Sequence, residues 1–416
     1  MKHWLIYGAN GYTGRLIALQ AKRLGLQPIL AGRSLDIHRI GAETGLPVRQ
    51  FDLADPRATA AALTDVQLVL NCAGPFSATA APMIAACLNA GAHYLDITGE
   101  YRVFEHAHSQ HQAACREGIV ICPGVGFDVV PTDCLAMALH AAMPDAEQLH
   151  LGFATASGLS PGTCKTLIET LADGGKVREG GQLRSVPNAY QMRECDFGGE
   201  PQWAMSIPWG DVVTAAYSTG IANISVFVPA PKPMIRVLRG LDWLRPLLGA
   251  AWLQRALVAL VERWVKGPTA EQRASLHTQV WGEVRNAAGA VKVAQLQTSN
   301  GYALTVHSAL HVVQALLAGR LTPIGPMPLP SEAEIRHCSH IVGQCGTETL
   351  ARALREPTDV LIAGRACDTA IFAALPKLLG YPLGLALHMA KIIECTSLCC
   401  VPGGRDAMLA ELDKDG

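Results

Sequence analysis

Three glycines at a spacing of three, Gly8, Gly11 and Gly14, follow a short apolar run from Trp4 to Tyr7. Behind them comes a helical pattern in which Leu16, Ile17, Ala21 and Leu24 share one side. The spacing predicts a strand, a tight turn holding Asn10, Tyr12 and Thr13, and a helix. Without a Cβ the turn can be sharp and a pyrophosphate can approach the backbone. The helix start adds unpaired N–H groups and the positive end of a dipole. The pattern is Gly-x-x-Gly-x-x-Gly, not the Gly-x-Gly-x-x-Gly of the usual dinucleotide fingerprint. A glycine-rich turn that binds nothing reads the same way; its place at the head of a long strand–helix alternation favours a binding loop.

About twenty residues past such a loop, NAD-binding folds carry an acid for the ribose 2′-hydroxyl. Here the chain has Gly32-Arg33-Ser34. A guanidinium and a hydroxyl suit the 2′-phosphate of NADP, which arginine grips with two donors. Asp36 fits the first turn of the following helix. Asp52, at the end of an apolar strand, suits an adenine amine and equally an ordinary strand end. Asn71-Cys72-Ala73-Gly74-Pro75-Phe76 should lie under the nicotinamide ribose, Gly74 permitting close approach and Pro75 fixing the backbone. Phe76 packs near the ring or in the core.

Hydride transfer also needs a proton. Tyr94, Asp96, Glu100 and Asp128 fall at strand ends, and Thr163 and Lys165 lie in a strand-to-helix loop. Asp96, Asp128 and Lys165 are the catalytic candidates, although each alone reads as a cap or surface residue. Asp211 reads as an N-cap and Trp209 as the floor of a pocket. In the tail, His337, Cys338, His340, Cys345, Cys395, Cys399 and Cys400 match no zinc spacing. No metal site is expected, and these cysteines read as small buried hydrophobes.

The elements that must position these residues form a Rossmann-type doubly wound parallel sheet over residues 1–130. Residues 131–300 read as an α+β domain with one mixed sheet, its strands at Leu149–Phe153, Asn223–Val228, Leu276–Val284 and Val291–Leu296. A helix near 301–320 completes the first domain, 321–330 is a proline-rich linker, and 331–416 is a small α/β extension. In the extension the pattern predicts helices near 347–355 and 369–379 and a strand over 359–363. Met234 to Lys266 is helical, broken near Pro246, with Trp243, Leu244, Leu247, Leu248, Trp252, Leu253, Leu257 and Leu260 on a broad apolar face. It reads as core or a dimer interface first, and as a substrate channel or membrane-surface contact second.

Half of the 416 residues are apolar, 17% are charged and the net charge is −1. That excludes general disorder and gives no basis for nucleic-acid binding. Thirteen cysteines without a secretory pattern suit a reducing, cytoplasmic setting. The early first strand leaves no room for a targeting peptide. No apolar run is long enough for a transmembrane segment.

Residues 1 to about 322 resemble the saccharopine dehydrogenase-like NADP-binding proteins, which include saccharopine reductases and trans-acting enoyl reductases. The resemblance is carried by Gly8-Ala-Asn-Gly-Tyr-Thr-Gly14, Ala31-Gly-Arg-Ser34, Asn71–Phe76, Tyr94–Glu100 and Pro123–Asp128. Pro208–Asp211, Gly267-Pro268 with Arg273, and Gly301-Tyr302 with Thr305 continue it. It implies an NADP(H)-linked oxidoreductase, a homodimer formed through the second domain, and a last helix that returns to the nucleotide domain. The position of Lys165 is similar to a lysine of saccharopine reductases, but arginines for the carboxylates of saccharopine are not identifiable. The tail resembles part of the acyclic terpene utilisation family. Together these imply reduction of an activated C=C (enoyl) or C=N (imine) bond of a small or acyl substrate. The alternative is a non-catalytic NADP-binding scaffold acting at a lipid surface.

Overall fold

The computed structural model describes residues 3–323, apart from 159, 241 and 266, and residues 368–380. By its contacts the chain forms two compact units, Met1–Met327 and Pro328–Gly416. Both sheets belong to the first.

The first sheet grows from β1 (His3–Tyr7), α1 (Tyr12–Arg23), β2 (Ile29–Gly32), α2 (Asp36–Thr44), β3 (Val48–Gln50) and α3 (Pro56–Ala62). It continues through β4 (Val66–Asn71), α4 (Phe76–Ala90), β5 (His93–Asp96), α5 (Tyr101–Ser109), α6 (His111–Glu117) and β6 (Ile121–Cys122). The strands pair in the order β3-β2-β1-β4-β5-β6, every pair parallel. This is the doubly wound sheet expected from the alternation, and both its faces are covered. In β1, Trp4 and Ile6 join one buried cluster while Leu5 and Tyr7 join the other, as a period of two requires. Ile17, Ala18 and Ala21 of α1 and Ile37 and Ile40 of α2 cover the first face. Met83, Ile84 and Cys87 of α4 and Val103 and Ala107 of α5 cover the second.

The second sheet follows α7 (Val130–Ala142). It comprises β7 (Ala146–Thr155), then, after α8 (Pro161–Asp173), β8 (Gly175–Glu179), β9 (Gln182–Val186), β10 (Met192–Cys195) and β11 (Gln202–Ile207). After α9 (Asp211–Thr219) come β12 (Asn223–Pro229), α10 (Lys232–Gly240), a 3-10 turn at Asp242–Leu244, α11 (Arg245–Leu248) and α12 (Ala251–Trp264). Last come α13 (Ala270–Ser275), β13 (His277–Asn286), β14 (Val291–Ser299) and α14 (Gly301–Leu317). The order is β10-β11-β12-β7-β13-β14, with β8 and β9 attached through β12. Only β12–β7 is parallel, so the sheet is mixed. Leu135, Leu139, Val212 and Val213 of α7 and α9 pack on Leu149, Leu151, Val226, Val280 and Val284. Helix α14 returns to the first sheet, where Val306, Ala309, Leu310 and Val313 join the α1 side of its core. Of the second unit, α15 (Asp368–Leu378) is described. The expected helix 347–355, strand 359–363, most of the linker and the tail histidines and cysteines lie outside the described residues.

Several expectations need correction. Helix α4 starts at Phe76, six residues before the expected Pro82, because a carboxylate reaches its first turn (below). Strands β8 to β11 carry few apolar residues in alternation and were not expected. The cap of α9 is Gly210, and Asp211 is buried in the first turn. The helical stretch 234–266 is broken as expected, but on either side of the short α11 that contains Pro246, and its apolar face is not core: Trp243 is 75% exposed, Trp252 63%, Leu260 56% and Trp264 71%.

Candidate active site

The glycines of the β1–α1 turn divide the work. A Cβ on Gly8, which has φ +79°, would stand 2.7 Å from the Ala73 nitrogen, and one on Gly14 would overlap the Gly8 carbonyl oxygen. These two glycines are required by packing. A Cβ on Gly11 would meet only the Gly8 oxygen, at 3.2 Å, so its open side belongs to the cleft. Gly11 is the N-cap of α1 and supplies no side chain, and the first turn carries no acid. The first N–H groups of α1 are therefore left for an anion.

A cleft of about 650 Å³ runs from this turn along the carboxyl ends of β1, β2 and β4, within the size range of cofactor sites. Gly8, Asn10 and Gly11 line it with Arg33 and Ser34, Asp52, and Ala73, Gly74 and Pro75. Arg33 is exposed and forms no ion pair among the described residues; Gln50 Nε2 holds its carbonyl oxygen at 3.1 Å. Ser34 Oγ donates to Asp36 Oδ2 at 3.0 Å and accepts from the Asp36 N–H at 3.1 Å. Asp36 thus serves α2, as expected, and also faces the cleft. Asp52 Oδ1 accepts from the Ala54 N–H at 3.0 Å and leaves its other oxygen to the cleft. A glycine cradle, an uncapped helix start and an unpaired guanidinium at the end of β2 fit a dinucleotide with a 2′-phosphate.

Gly74 also borders a smaller pocket of about 100 Å³. Thr13, Cys72 and Phe76 line it from the first domain, Glu100 and Asp128 from the loops after β5 and β6. Ser160, Thr163 and Thr166 of α8, Trp209 and Tyr302 close it. Phe76 packs against the core, one of the two places the sequence allowed, and also lines the pocket. Burial pushes the Cys72 thiol up, which removes it as a nucleophile.

The three catalytic candidates are placed very differently. Asp96 is fully buried. Its Oδ1 accepts from the N–H groups of Thr98 at 3.0 Å and Gly124 at 2.8 Å, and its Oδ2 from the Tyr94 hydroxyl at 2.7 Å. Burial raises its pKa to about 6 against the pull of those bonds. It is a strut joining the ends of β5 and β6, not an open acid. Lys165 is half-buried on α8, but the residues of that helix that line the pocket are Gly162, Thr163 and Thr166. Asp128 alone lines the pocket with a carboxylate that accepts no hydrogen bond among the described residues. Its pKa is raised to about 7, first by burial and then by repulsion from Glu100 and Asp96. Trp209 Nε1 donates to the Asp128 carbonyl oxygen at 2.5 Å and fixes the loop.

Glu100 has another task. Its Oε1 accepts from the Phe76 N–H at 2.9 Å and its Oε2 from the Ser77 N–H at 2.7 Å, while Thr166 Oγ1 donates to Oε1 at 3.2 Å. It caps α4 from a distance and ties it to α8. Glu100→Ala is expected to cost about 1–3 kcal/mol of stability in chemical denaturation, since two part-buried N–H groups lose a charged acceptor. A change below about 0.5 kcal/mol would show that water replaces the carboxylate.

A second bridge joins the glycine turn to the second domain. The Tyr12 hydroxyl donates to the Pro268 carbonyl at 2.6 Å and accepts from Arg273 Nη1 at 2.9 Å. The Tyr12 ring meets Tyr302 edge-on at 5.1 Å, and the Tyr302 hydroxyl accepts from the Ser160 N–H at 2.5 Å. These partners are 142 to 290 residues apart. Local patterning holds no signal for them beyond the motif pieces themselves.

A cleft at the strand ends of one sheet, an acid in the pocket that meets it and a mixed sheet in the same compact unit are the features of a nucleotide-binding protein. Residues 4–122 match the family described as the saccharopine dehydrogenase NADP binding domain. A protein of Mycobacterium tuberculosis named as a trans-acting enoyl reductase is 31% identical over 213 residues, 48% of this chain and 50% of its own. The Homo sapiens saccharopine dehydrogenase-like oxidoreductase is 27% identical over 213 residues, 45% of this chain and 49% of its own. The chain spans about half the length of the curated relatives it matches. Apo saccharopine dehydrogenase (L-Glu forming) from Saccharomyces cerevisiae superposes with a TM-score of 0.51 at 10% identity, covering 77% of this chain and 92% of that one. That likeness concerns the fold.

Proposed function

We propose that this chain is an NADPH-dependent reductase of an activated C=C or C=N bond, with Asp128 as proton donor. The observation that carries the reading is the position of Asp128. Its carboxyl group, poised near neutrality, stands in a pocket that meets the nucleotide cleft at Gly74. When bound, NADPH supplies the hydride. The chain orients the acceptor between Phe76 and Trp209, and Asp128 in its acid form gives a proton to the neighbouring atom. Trp209 and Tyr302 narrow the access of water to that proton.

The pocket continues, past Gly99, Glu100, Thr166 and Trp209, into a chamber of about 320 Å³. Met205, Ile207, Pro208, Met234 and Leu238 give it a mostly apolar wall. Among the described residues no lysine or arginine lines the pocket or the chamber. A polycarboxylate such as saccharopine would therefore meet Glu100 and Asp128 without a cation to receive it. A neutral enoyl thioester or an imine with an apolar arm is the better fit. The protein is proposed to work as a homodimer, as the resemblance implies.

Loss of NADPH absorbance with a panel of enoyl thioesters and imines tests the reading. Turnover is expected with at least one class. Tight NADPH binding without turnover across the panel would favour the non-catalytic scaffold. Leu238→Trp should shorten the chamber, raising KM for long-chain substrates by about fourfold per excluded methylene. The rate on short-chain analogues should be unchanged. Equal effects on both would place the chain of the substrate elsewhere.

A further inference from the structure

Helix α12 is amphipathic the wrong way round for a solvent-facing helix. Gln254 Nε2 donates to the Ile168 carbonyl oxygen at 3.2 Å, which marks the face turned to α8. The opposite face is exposed and consists of Trp252, Arg255, Ala256, Ala259, Leu260, Arg263 and Trp264. These positions recur at three and four residues, so they form one stripe. A tryptophan stands at each end, about 18 Å apart by helical rise. Among the described side chains of the stripe none is acidic. Over 232–264 the sequence has six basic residues, Lys232, Arg236, Arg239, Arg245, Arg255 and Arg263, against two acids, Asp242 and Glu262. Trp243, 75% exposed, adds to the apolar surface of the same segment. Apolar surface of this extent marks an interaction site.

We propose that this face of α12 docks on an anionic lipid bilayer, lying in the plane of the headgroups. Tryptophan rings favour that depth, their apolar body facing the acyl chains and the indole N–H facing water. Arginines beside them pair with lipid phosphates. Charge decides against a second copy of the chain. A symmetric contact through this stripe would bring Arg255 and Arg263 of one copy against those of the other. The docking is peripheral: among the described residues no helix is long and apolar enough to cross a membrane. The inference does not depend on the proposed chemistry.

The test is co-sedimentation of the full chain with phosphatidylcholine vesicles, with and without phosphatidylglycerol, at low and high salt. Binding is expected only with the anionic lipid and should weaken as salt rises. Arg255→Gln with Arg263→Gln should lower vesicle affinity roughly thirtyfold. Trp252→Ala with Trp264→Ala should abolish sedimentation with an unchanged melting curve. Should the variants fold poorly, quenching of wild-type tryptophan fluorescence by brominated lipids provides the reading. The proposal is overturned by no binding to anionic vesicles, by equal binding to neutral ones, or by variants that bind as well as the parent. It is also overturned if light scattering finds a dimer that the tryptophan variants split, or if the face retains an acidic protein in place of lipid.

Discussion

Asp128→Asn is expected to reduce kcat by roughly 10² to 10⁴, the usual worth of a positioned proton donor. NADPH affinity should stay within about twofold, a change of a few tenths of a kcal/mol, because Asp128 lines the reacting pocket and not the nucleotide cleft. The pH profile gives the sharper test. With a pKa of about 7, the parent holds Asp128 mostly protonated in mild acid, so kcat should fall as pH rises through neutrality. In Asp128→Asn the residual rate should lose that dependence. Full activity in the variant would assign the proton to water.

The same substitution should stabilise the fold. Asp128 titrates at 3.8 when unfolded and at about 7 when folded. Its charged form is thus disfavoured in the native state, and stability is lost as pH rises from the first value through the second. Above neutrality the cost reaches about 4 kcal/mol as an upper bound, which partial solvent access reduces. Asp128→Asn removes it. The variant should melt higher than the parent at pH 8 and alike at pH 4. Lower activity with higher stability separates a strained functional acid from a structural one.

The first domain was largely legible because its central strands β1, β2, β4 and β5 are mostly apolar and almost wholly buried. Gly45, Gly91 and Gly118 end α2, α4 and α6 with positive φ, and Gly8 turns the chain after β1 with the same sign. The second domain was legible only in β7, β12, β13 and β14, whose inward residues meet the α7–α9 layer. Strands β8 and β9 form a twisted hairpin at the rim, where polar residues such as Arg184 and Gln182 suffice. At the site, Asp96 and Asp128 look alike in sequence, each at a strand end. What separates them is whether three donors converge on the carboxylate, and those donors come from Tyr94, Thr98 and Gly124. Glu100 hid its capping role for the same reason: Phe76 and Ser77 lie more than twenty residues upstream. The apolar pattern of 234–266 was read as core or a dimer interface, and the exposure of Trp243, Trp252 and Leu260 removes the core half of that reading. Periodicity reports that a helix has a greasy side, not what covers it.

Arg33→Asp is expected to weaken NADPH binding roughly hundredfold while leaving NADH affinity unchanged or better. Two charge-assisted bonds to a phosphate are lost at about 1.5–3 kcal/mol each, partly offset by the solvation of an exposed site. The new carboxylate would stand beside Asp36, which already faces the cleft, and both repel a 2′-phosphate. The same carboxylate can accept from a 2′-hydroxyl, as acids at this position do in NAD-binding folds. Folding should be unaffected, because Arg33 is exposed, forms no ion pair among the described residues, and is held through its backbone carbonyl by Gln50. Calorimetric titration of parent and variant with both nucleotides, at two salt concentrations, reads the effect. The parent's preference for NADPH should shrink as salt rises. Equal affinity of the parent for NADPH and NADH would detach Arg33 from the 2′-phosphate and move phosphate recognition to Ser34 and the helix start of α2.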